Sequence, residues 1–350
     1  MGTRPTTPIA LTRYKEQIQA ELLSVLPDRS LELSSPFGYH LGWIDRSGER
    51  ITTPTDQGKA LRPSLCLFAC QALGGDWIKA MPAALALELI HNFSLIHDDI
   101  QDGDTKRRHQ PTVWYLWGQP KALLTGDAMH GMAYRVALDL TERGVSDKKS
   151  LRVSSLLMES CLSMINGQTM DLQYENRLDI NLTDYLEMIR LKTGSLFETS
   201  LEIGALLARD EEEQIQALAS YGRHLGLAFQ IRDDILGIWG NEKYTGKAGN
   251  SSSNDIRRKK KSFPIVFALE QAQAANRKTL RRIYMKQSIN QQDMDQVMGI
   301  LDQMKAREYA QKLVVKEATL ALEELKTISL GSWASKEARK LVGFLTSRDY

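Results

Sequence analysis

Between Asp98 and Asp104, in the stretch SLIHDDIQDGDTKRRHQPT, four carboxylates fall within seven residues, and the cationic side chains of Lys106, Arg107 and Arg108 follow almost at once. On an α-helix Asp98 and Asp102 lie one turn apart on one face, ~6 Å along the axis, with Asp99 turned by ~100° beside them. The spacing predicts three carboxylates directed into one volume. Without a counter-charge they repel, and at least one would take up a proton. A divalent cation removes that difficulty. An all-oxygen donor set suits Mg²⁺, with Mn²⁺ as a substitute, and such a site is completed by water and phosphate. The alternative is a solvated acidic helix end. The preceding LALELIHNFSLIH is apolar on most faces, however, which sets the carboxylates at the end of a buried helix. His91 falls two turns before Asp98 on the same stripe, while His97 reads as a core histidine.

About 135 positions later FQIRDDILGIWG repeats the pattern. Gln230, Asp233 and Asp234 share a stripe at three- and four-residue spacing, and Gly237 stands where a third carboxylate would fall. Two such helices facing each other would gather metal ions with excess positive charge, which a diphosphate would neutralise. Cations suited to phosphate occur in GKALRP (Lys59, Arg62), in TKRRHQP (Arg107, Arg108) and in TGK (Lys247). Arginine presents a planar fork to phosphate oxygens and lysine a compact charge. Each fragment alone reads equally as solvated surface. The run Arg257 to Lys261 could also serve as a nuclear address or touch nucleic acid, but the chain lacks the basic bias and aromatic interleaving of that class.

The elements needed to hold these groups are helical. Apolar residues recur at three- and four-residue intervals almost throughout, and alternating Val, Ile and Thr runs are missing. The pattern predicts helices over Thr12 to Leu26, Gly58 to Leu73, Pro82 to Gln101, Ala122 to Thr141, Lys149 to Tyr174, Leu182 to Ala208, Glu211 to Ile238 and Phe263 to Ala275, with several more after Gln291. Residues 27 to 57 and Tyr244 to Asp255 read as loops. All of this fits one domain over 1–350, with 1–11 as a flexible tail. At 350 residues, 42% hydrophobic and 25% charged, the chain can bury a large core, and its net charge of +2 gives no reason to expect nucleic acid as a partner. Three cysteines, Cys66, Cys70 and Cys161, lie inside apolar patterns without metal-ligand spacing, as expected of a reduced, cytoplasmic protein. No apolar run reaches the ~18 residues of a membrane helix.

In this order the motifs resemble the trans-isoprenyl diphosphate synthases, the polyprenyl synthetase family, over nearly the whole chain. The family's Asp-Asp-x-x-Asp is similar to Asp98, Asp99 and Asp102, followed by its Arg pair at Arg107 and Arg108. Gly58, Lys59 and Arg62 resemble its Gly-Lys-x-x-Arg segment, with Gln57 in place of a preceding glycine. Gly167, Gln168 and Asp171 match Gly-Gln-x-x-Asp, Lys192 and Thr193 its Lys-Thr pair, and Gln230, Asp233 and Asp234 its second acidic motif. Lys247 and Lys260 resemble its downstream lysines.

The resemblance implies the isoprenoid synthase fold, with antiparallel helices around a deep cavity, a homodimer, and Mg²⁺-dependent transfer of an allylic group to isopentenyl diphosphate. Lys59, Arg62, His91 and Arg108 would bind the diphosphate of isopentenyl diphosphate, and Arg107, Lys192, Gln230 and Lys247 that of the allylic substrate. Asp98, Asp99, Asp102, Asp171, Asp233 and Asp234 would bind metal. In the family, residues four and five before the first motif set the pocket floor. Here these are Ser94 and Phe93, and an aromatic residue at the fifth position with no insertion in the motif resembles the archaeal type of geranylgeranyl diphosphate synthase; the bland reading of Phe93 is core. The competing functions are a terpene cyclase of related fold and a non-catalytic subunit of a prenyltransferase heteromer. The complete set of cations argues against the first and the retained aspartates against the second. Asp104 and Lys106 are expected only to form a solvated turn.

Overall fold

The computed structural model describes residues 7–25, 33–51, 58, 60–240 and 254–347. Helices of eight residues or more are numbered in chain order: α1 (Lys15–Ser24), α2 (Leu61–Ala72), α3 (Met81–Gln101), α4 (Gln119–Ala137), α5 (Asp147–Glu175), α6 (Leu182–Ile189), α7 (Ser195–Ala208), α8 (Glu212–Trp239), α9 (Phe263–Gln271), α10 (Ala274–Tyr284), α11 (Gln291–Gln303), α12 (Ala306–Glu324) and α13 (Ser332–Ser347). Local chemistry explains their ends. Pro82 and Pro120 sit in the first turns of α3 and α4, where a missing N–H is harmless. The side chains of Asn181 and Asp184 cap α6 reciprocally, and those of Asn290 and Asp293 do the same for α11.

Four boundaries depart from the periodicity. The helix expected from Gly58 begins at Leu61, because Gly58 and Ala60 have φ of 77° and 43°, outside the helical region. The single helix expected over Leu182 to Ala208 is interrupted at Arg190–Gly194 by a π-helical turn. Phe263 to Ala275 divides after Gln271, where the Arg277 guanidinium takes the carbonyls of Glu270 and Ala272 at 2.8 and 2.9 Å. Finally, the expected tail does not extend to residue 11. Ile9–Thr12 is a helical turn, Ala10 and Leu11 are buried, and the Ala10 N–H donates to Glu337 Oε2 at 3.2 Å.

The largest core joins α2, α3, α4, α5 and α7, with Phe68, Leu87 and Phe197 fully buried. Each such side chain contributes about 1.5–3 kcal/mol relative to exposure. Two smaller cores lie toward the C-terminal half, one around Ile283 and Leu301 and one around Tyr185 and Ile231. Helix α8 enters all three, which fixes the second acidic motif against the rest of the molecule. Among the described residues no helix is long and apolar enough to cross a membrane.

One small sheet escapes the helical pattern. β1 (Lys106–Arg107) pairs antiparallel with β2 (Gln110–Pro111), and the two residues between them, Arg108 and His109, have φ of 48° and 63°. Neither is glycine, although such hairpin turns favour it. Holding an arginine in this conformation is a strain of the kind that gathers at functional sites.

Candidate active site

The end of α3 and the middle of α8 face one cavity of about 460 Å³. Asp98 comes from α3 and Asp233 from α8; Arg62, His91, Ser94, Lys192, Thr193 and Gln230 share the lining, and Phe93, Met164, Leu172 and Phe229 supply apolar wall. Nine residues singled out by the sequence are thereby brought together. Burial pushes the Asp98 carboxyl above its ordinary pKa, an effect opposed by the nearby Lys192 ammonium.

Asp99 does not share this volume with Asp98, and the expectation that all three carboxylates of the first motif would is corrected for that residue, whereas Asp102 interacts with the same Lys192 and Asp171 charges as Asp98. Asp99, 2% exposed, accepts from Arg107 Nε at 2.8 Å and also pairs with Arg107 Nη2 at 2.8 Å. The ~100° offset between consecutive helical residues carries it to a second cavity, of about 640 Å³, which Arg107, Arg108 and His40 also line. Its carboxyl is pushed up to about 6 by burial, with Arg107 acting in the opposite direction. Asp102 lies one residue past α3, and its N–H closes that helix on the Asp98 carbonyl at 2.8 Å. In the second motif Asp234 is committed within the protein. It accepts from the Tyr185 hydroxyl, from the Phe263 N–H at 2.9 Å and from Gln230 Nε2 at 3.1 Å. Burial raises its carboxyl to about 6.

Lys192 is aimed by the π-helical turn. Such turns re-direct side chains and recur at functional sites. Its Nζ lies 2.6 Å from Asp171 Oδ2 on α5. Burial opposes the Lys192 charge, but Asp171 and Asp98 more than offset this and raise its pKa. Gly167 makes the approach possible, since a Cβ there would stand 2.3 Å from the Lys192 backbone nitrogen. The second residue of that motif, Gln168, donates to Gln101 Oε1 at 2.8 Å. Thr193 donates its hydroxyl to Gln230 Oε1 at 2.8 Å, extending a chain of polar contacts to Asp234.

Arg62 lines the same cavity, with its guanidinium carbon 5.3 Å from the centre of the Phe197 ring. Burial lowers its pKa to about 10, while Glu88 and Asp233 support its charge. Arg62 Nε and Gln168 Oε1 are both buried without a hydrogen-bond partner, a polar demand that a ligand would meet. His91 is held well below the usual histidine pKa by burial and by Arg62 and Arg108, so it faces the cavity as a neutral ring. Lys59 and Lys247 lie outside the described residues.

Phe93 and Ser94 both line the cavity, although an ideal helix turns Phe93 away from the acidic stripe. The Phe93 ring is 6% exposed and packs edge-on against His97 at 5.6 Å and in a tilted arrangement against His130 at 4.8 Å. His97, expected in the core, is instead half-buried in the cavity wall. His130, Tyr185 and Glu88 carry no motif, and only contacts across the fold reveal them. Asp104 is likewise more than a solvated turn. Its carboxylate pairs with Arg258, and its carbonyl accepts from Thr112 Oγ1 and Trp114 Nε1, each at 2.7 Å.

An all-helical body with acidic groups from two helices converging on a cation-lined, apolar-floored cavity defines the isoprenoid synthase class. The family model for the polyprenyl synthetases matches residues 43–301. A (2E,6E)-farnesyl diphosphate synthase of Mycobacterium tuberculosis is 36% identical over 349 residues, covering 99% of this chain and 94% of that protein. A geranylgeranyl diphosphate synthase of Saccharolobus solfataricus is 36% identical over 292 residues, covering 83% and 86%. The crystal structure of a polyprenyl synthetase from Streptomyces coelicolor superposes with a TM-score of 0.87 at 33% identity, covering 96% of this chain and 98% of that one. The chain belongs to the polyprenyl synthetase family, and it is a prenyltransferase.

Proposed function

We propose that the protein condenses isopentenyl diphosphate with an allylic diphosphate to give a longer trans-polyprenyl diphosphate, with geranylgeranyl diphosphate as the product. The observation that carries this reading is the convergence of Asp98 and Asp233 on one cavity that also holds Lys192 and the unpartnered Arg62 Nε. Among the described residues no three or more His, Cys, Asp or Glu side chains are grouped as a metal site; the cavity offers the two carboxylates of Asp98 and Asp233. That donor set fits Mg²⁺, which is ordinarily held by one or two carboxylates and completed by substrate phosphate. Asp98 and Asp233 would hold the ion, with Asp102 and Asp171 beside them. When bound, it would neutralise charge on the departing diphosphate.

The chain's own residues do the rest. Lys192 and Gln230 would hold the allylic diphosphate as its C1–O bond breaks and the oxygen leaves with the electron pair. Arg62 and neutral His91 would fix the second diphosphate, so that the double bond of isopentenyl diphosphate attacks C1. A proton then passes from the new chain to a diphosphate oxygen, and no enzyme nucleophile is needed. Phe93, Met164, Leu172 and Phe229 would exclude water from the allylic cation. Phe93 would also stop the growing chain, which favours geranylgeranyl length over longer products.

We further expect a homodimer. Leu151, Met158 and Leu162 recur at helical spacing on α5 and are 74%, 49% and 62% exposed, an apolar stripe suited to a second copy. Elongation is tested by incubating the protein with Mg²⁺, isopentenyl diphosphate and each allylic diphosphate in turn, then dephosphorylating and sizing the products. A cyclic hydrocarbon formed from an allylic substrate alone would instead mark a cyclase.

A further inference from the structure

Gly126 is buried in the interior of α4, a position where glycine only weakens a helix. The reason for it is space. A Cβ built there would lie 2.3 Å from His97 Nε2, 2.5 Å from Cδ2 and 3.3 Å from Cε1, so the imidazole carried by α3 rests directly on the α4 backbone. The same ring bonds to that helix. His97 Nε2 donates to the Leu123 carbonyl at 3.2 Å, and Asp127 Oδ1 stands 3.8 Å from the same nitrogen. Because a carbonyl only accepts, this bond places the ring proton on Nε2.

The seat of His97 on α4 reaches the cavity. Phe93, one turn before His97 on α3, meets it edge-on at 5.6 Å and packs tilted against His130 at 4.8 Å. His130 stands one turn after Gly126 on α4, so two residues from each helix interlock. Of these four, Phe93 and His97 line the cavity that holds Asp98 and Asp233. A methyl group at 126 cannot coexist with the ring where it now lies. Interiors are close-packed, and a displaced ring takes its space from a neighbour. Lifted from α4, His97 loses the Leu123 carbonyl and turns toward the cavity it already lines.

We propose that Gly126 is a determinant of product length in this chain: by leaving room for His97 against α4, it keeps that ring and the Phe93 ring beside it out of the space that the growing prenyl tail fills. Gly126 and His97 then act on specificity and not on the chemical step. This inference rests on the proposed prenyl transfer, but it is a claim about the depth of the cavity and can fail separately.

The test sets Gly126→Ala against Gly131→Ala, a glycine of the same helix at which a Cβ would meet nothing within 4 Å. Each full-length variant, its fold checked by circular dichroism, receives Mg²⁺, isopentenyl diphosphate and dimethylallyl diphosphate, and the dephosphorylated products are sized. Calorimetry with Mg²⁺ alone measures binding of dimethylallyl and of geranylgeranyl diphosphate. Gly126→Ala is expected to shorten the main product by one or more five-carbon units. It should also weaken geranylgeranyl diphosphate roughly 10-fold or more, the scale of one methylene misfit in an apolar pocket, with dimethylallyl diphosphate within a few-fold of wild type. Gly131→Ala should change neither. Gly126→Ala combined with His97→Ala should return the product to wild-type length or beyond, since the ring that the methyl meets is gone. Wild-type length and binding in folded Gly126→Ala, a longer product from it, or a double variant as short as the single one would overturn the proposal. Should Gly126→Ala not fold, His97→Ala decides: a longer product supports the assignment, and an unchanged distribution contradicts it. Wild-type protein that binds both prenyl diphosphates but never elongates them contradicts the proposed function, and the binding comparison then decides this inference alone.

Discussion

Lys192 Nζ lies 2.6 Å from Asp171 Oδ2, joining the π-helical turn to α5 at the wall of the cavity. The pair holds an ammonium where a leaving diphosphate would need it, beside Asp98. Lys192→Met should therefore lower kcat by roughly 100-fold, the scale of losing one pre-aimed charge from a transition state. Lys192→Arg should recover part of the rate. Steady-state kinetics on both variants, with product release of diphosphate as the readout, checks this.

Gly167 supports the same lysine from beneath. With 2.3 Å between a Cβ and the Lys192 nitrogen, Gly167→Ala must displace backbone and not merely a side-chain tip. The expected loss is about 1–3 kcal/mol of stability, the usual range for overpacking. Urea unfolding measures it. Activity should fall further than stability alone explains, because Lys192 moves with its turn.

Asp234 gives the protein a pH signature. Its folded-state pKa of about 6 lies above the ordinary 3.8, so over that interval the folded protein keeps a proton that the unfolded chain has released. Its contribution to stability therefore falls as pH rises from about 4 to about 6 and levels off above that. Asp234→Asn, which cannot ionise, should flatten this part of the stability profile. Denaturant titrations of metal-free protein at pH 4, 5, 6 and 7 would show it; an unchanged slope would mean that burial does not hold the proton there.

Much of the site was legible because its chemistry depends on spacing along helices. Asp98 and Asp233, each with its own apolar helix, were readable as facing acidic groups and Arg62 as a cation for them, whereas Lys192 came only through the resemblance to the family. What could not be read depends on rotation and on contacts between distant segments. Periodicity places Asp99 beside Asp98, but only the hairpin that returns Arg107 to it decides which cavity it enters. Asp234 reads as a metal ligand until Tyr185, 49 residues away, takes its oxygen. The break at Arg190–Gly194 is invisible to an apolar pattern that continues through it, and Asp104 shows its role only with Arg258 opposite.

Under the proposed function, Phe93 would link the fold to product length. Its ring lines the cavity and packs on His130, so truncation would open space for a longer chain. Phe93→Ala should shift products by one or more five-carbon units, at a stability cost up to the ~3–5 kcal/mol of a buried phenylalanine. Chromatography of dephosphorylated products reads the shift. An unchanged distribution would make Phe93 a core residue only.

The central claim is that two diphosphate substrates meet at the Asp98–Asp233 cavity and leave as one longer chain. Its most direct measurement follows labelled isopentenyl diphosphate into prenyl product, with Mg²⁺ and dimethylallyl, geranyl or farnesyl diphosphate as the partner. Label should enter an acyclic product in five-carbon steps, ending at the geranylgeranyl length, and Asp98→Ala and Asp233→Ala should each abolish the transfer. Label that never enters an elongated chain with any partner, or transfer that survives both substitutions, would contradict the account.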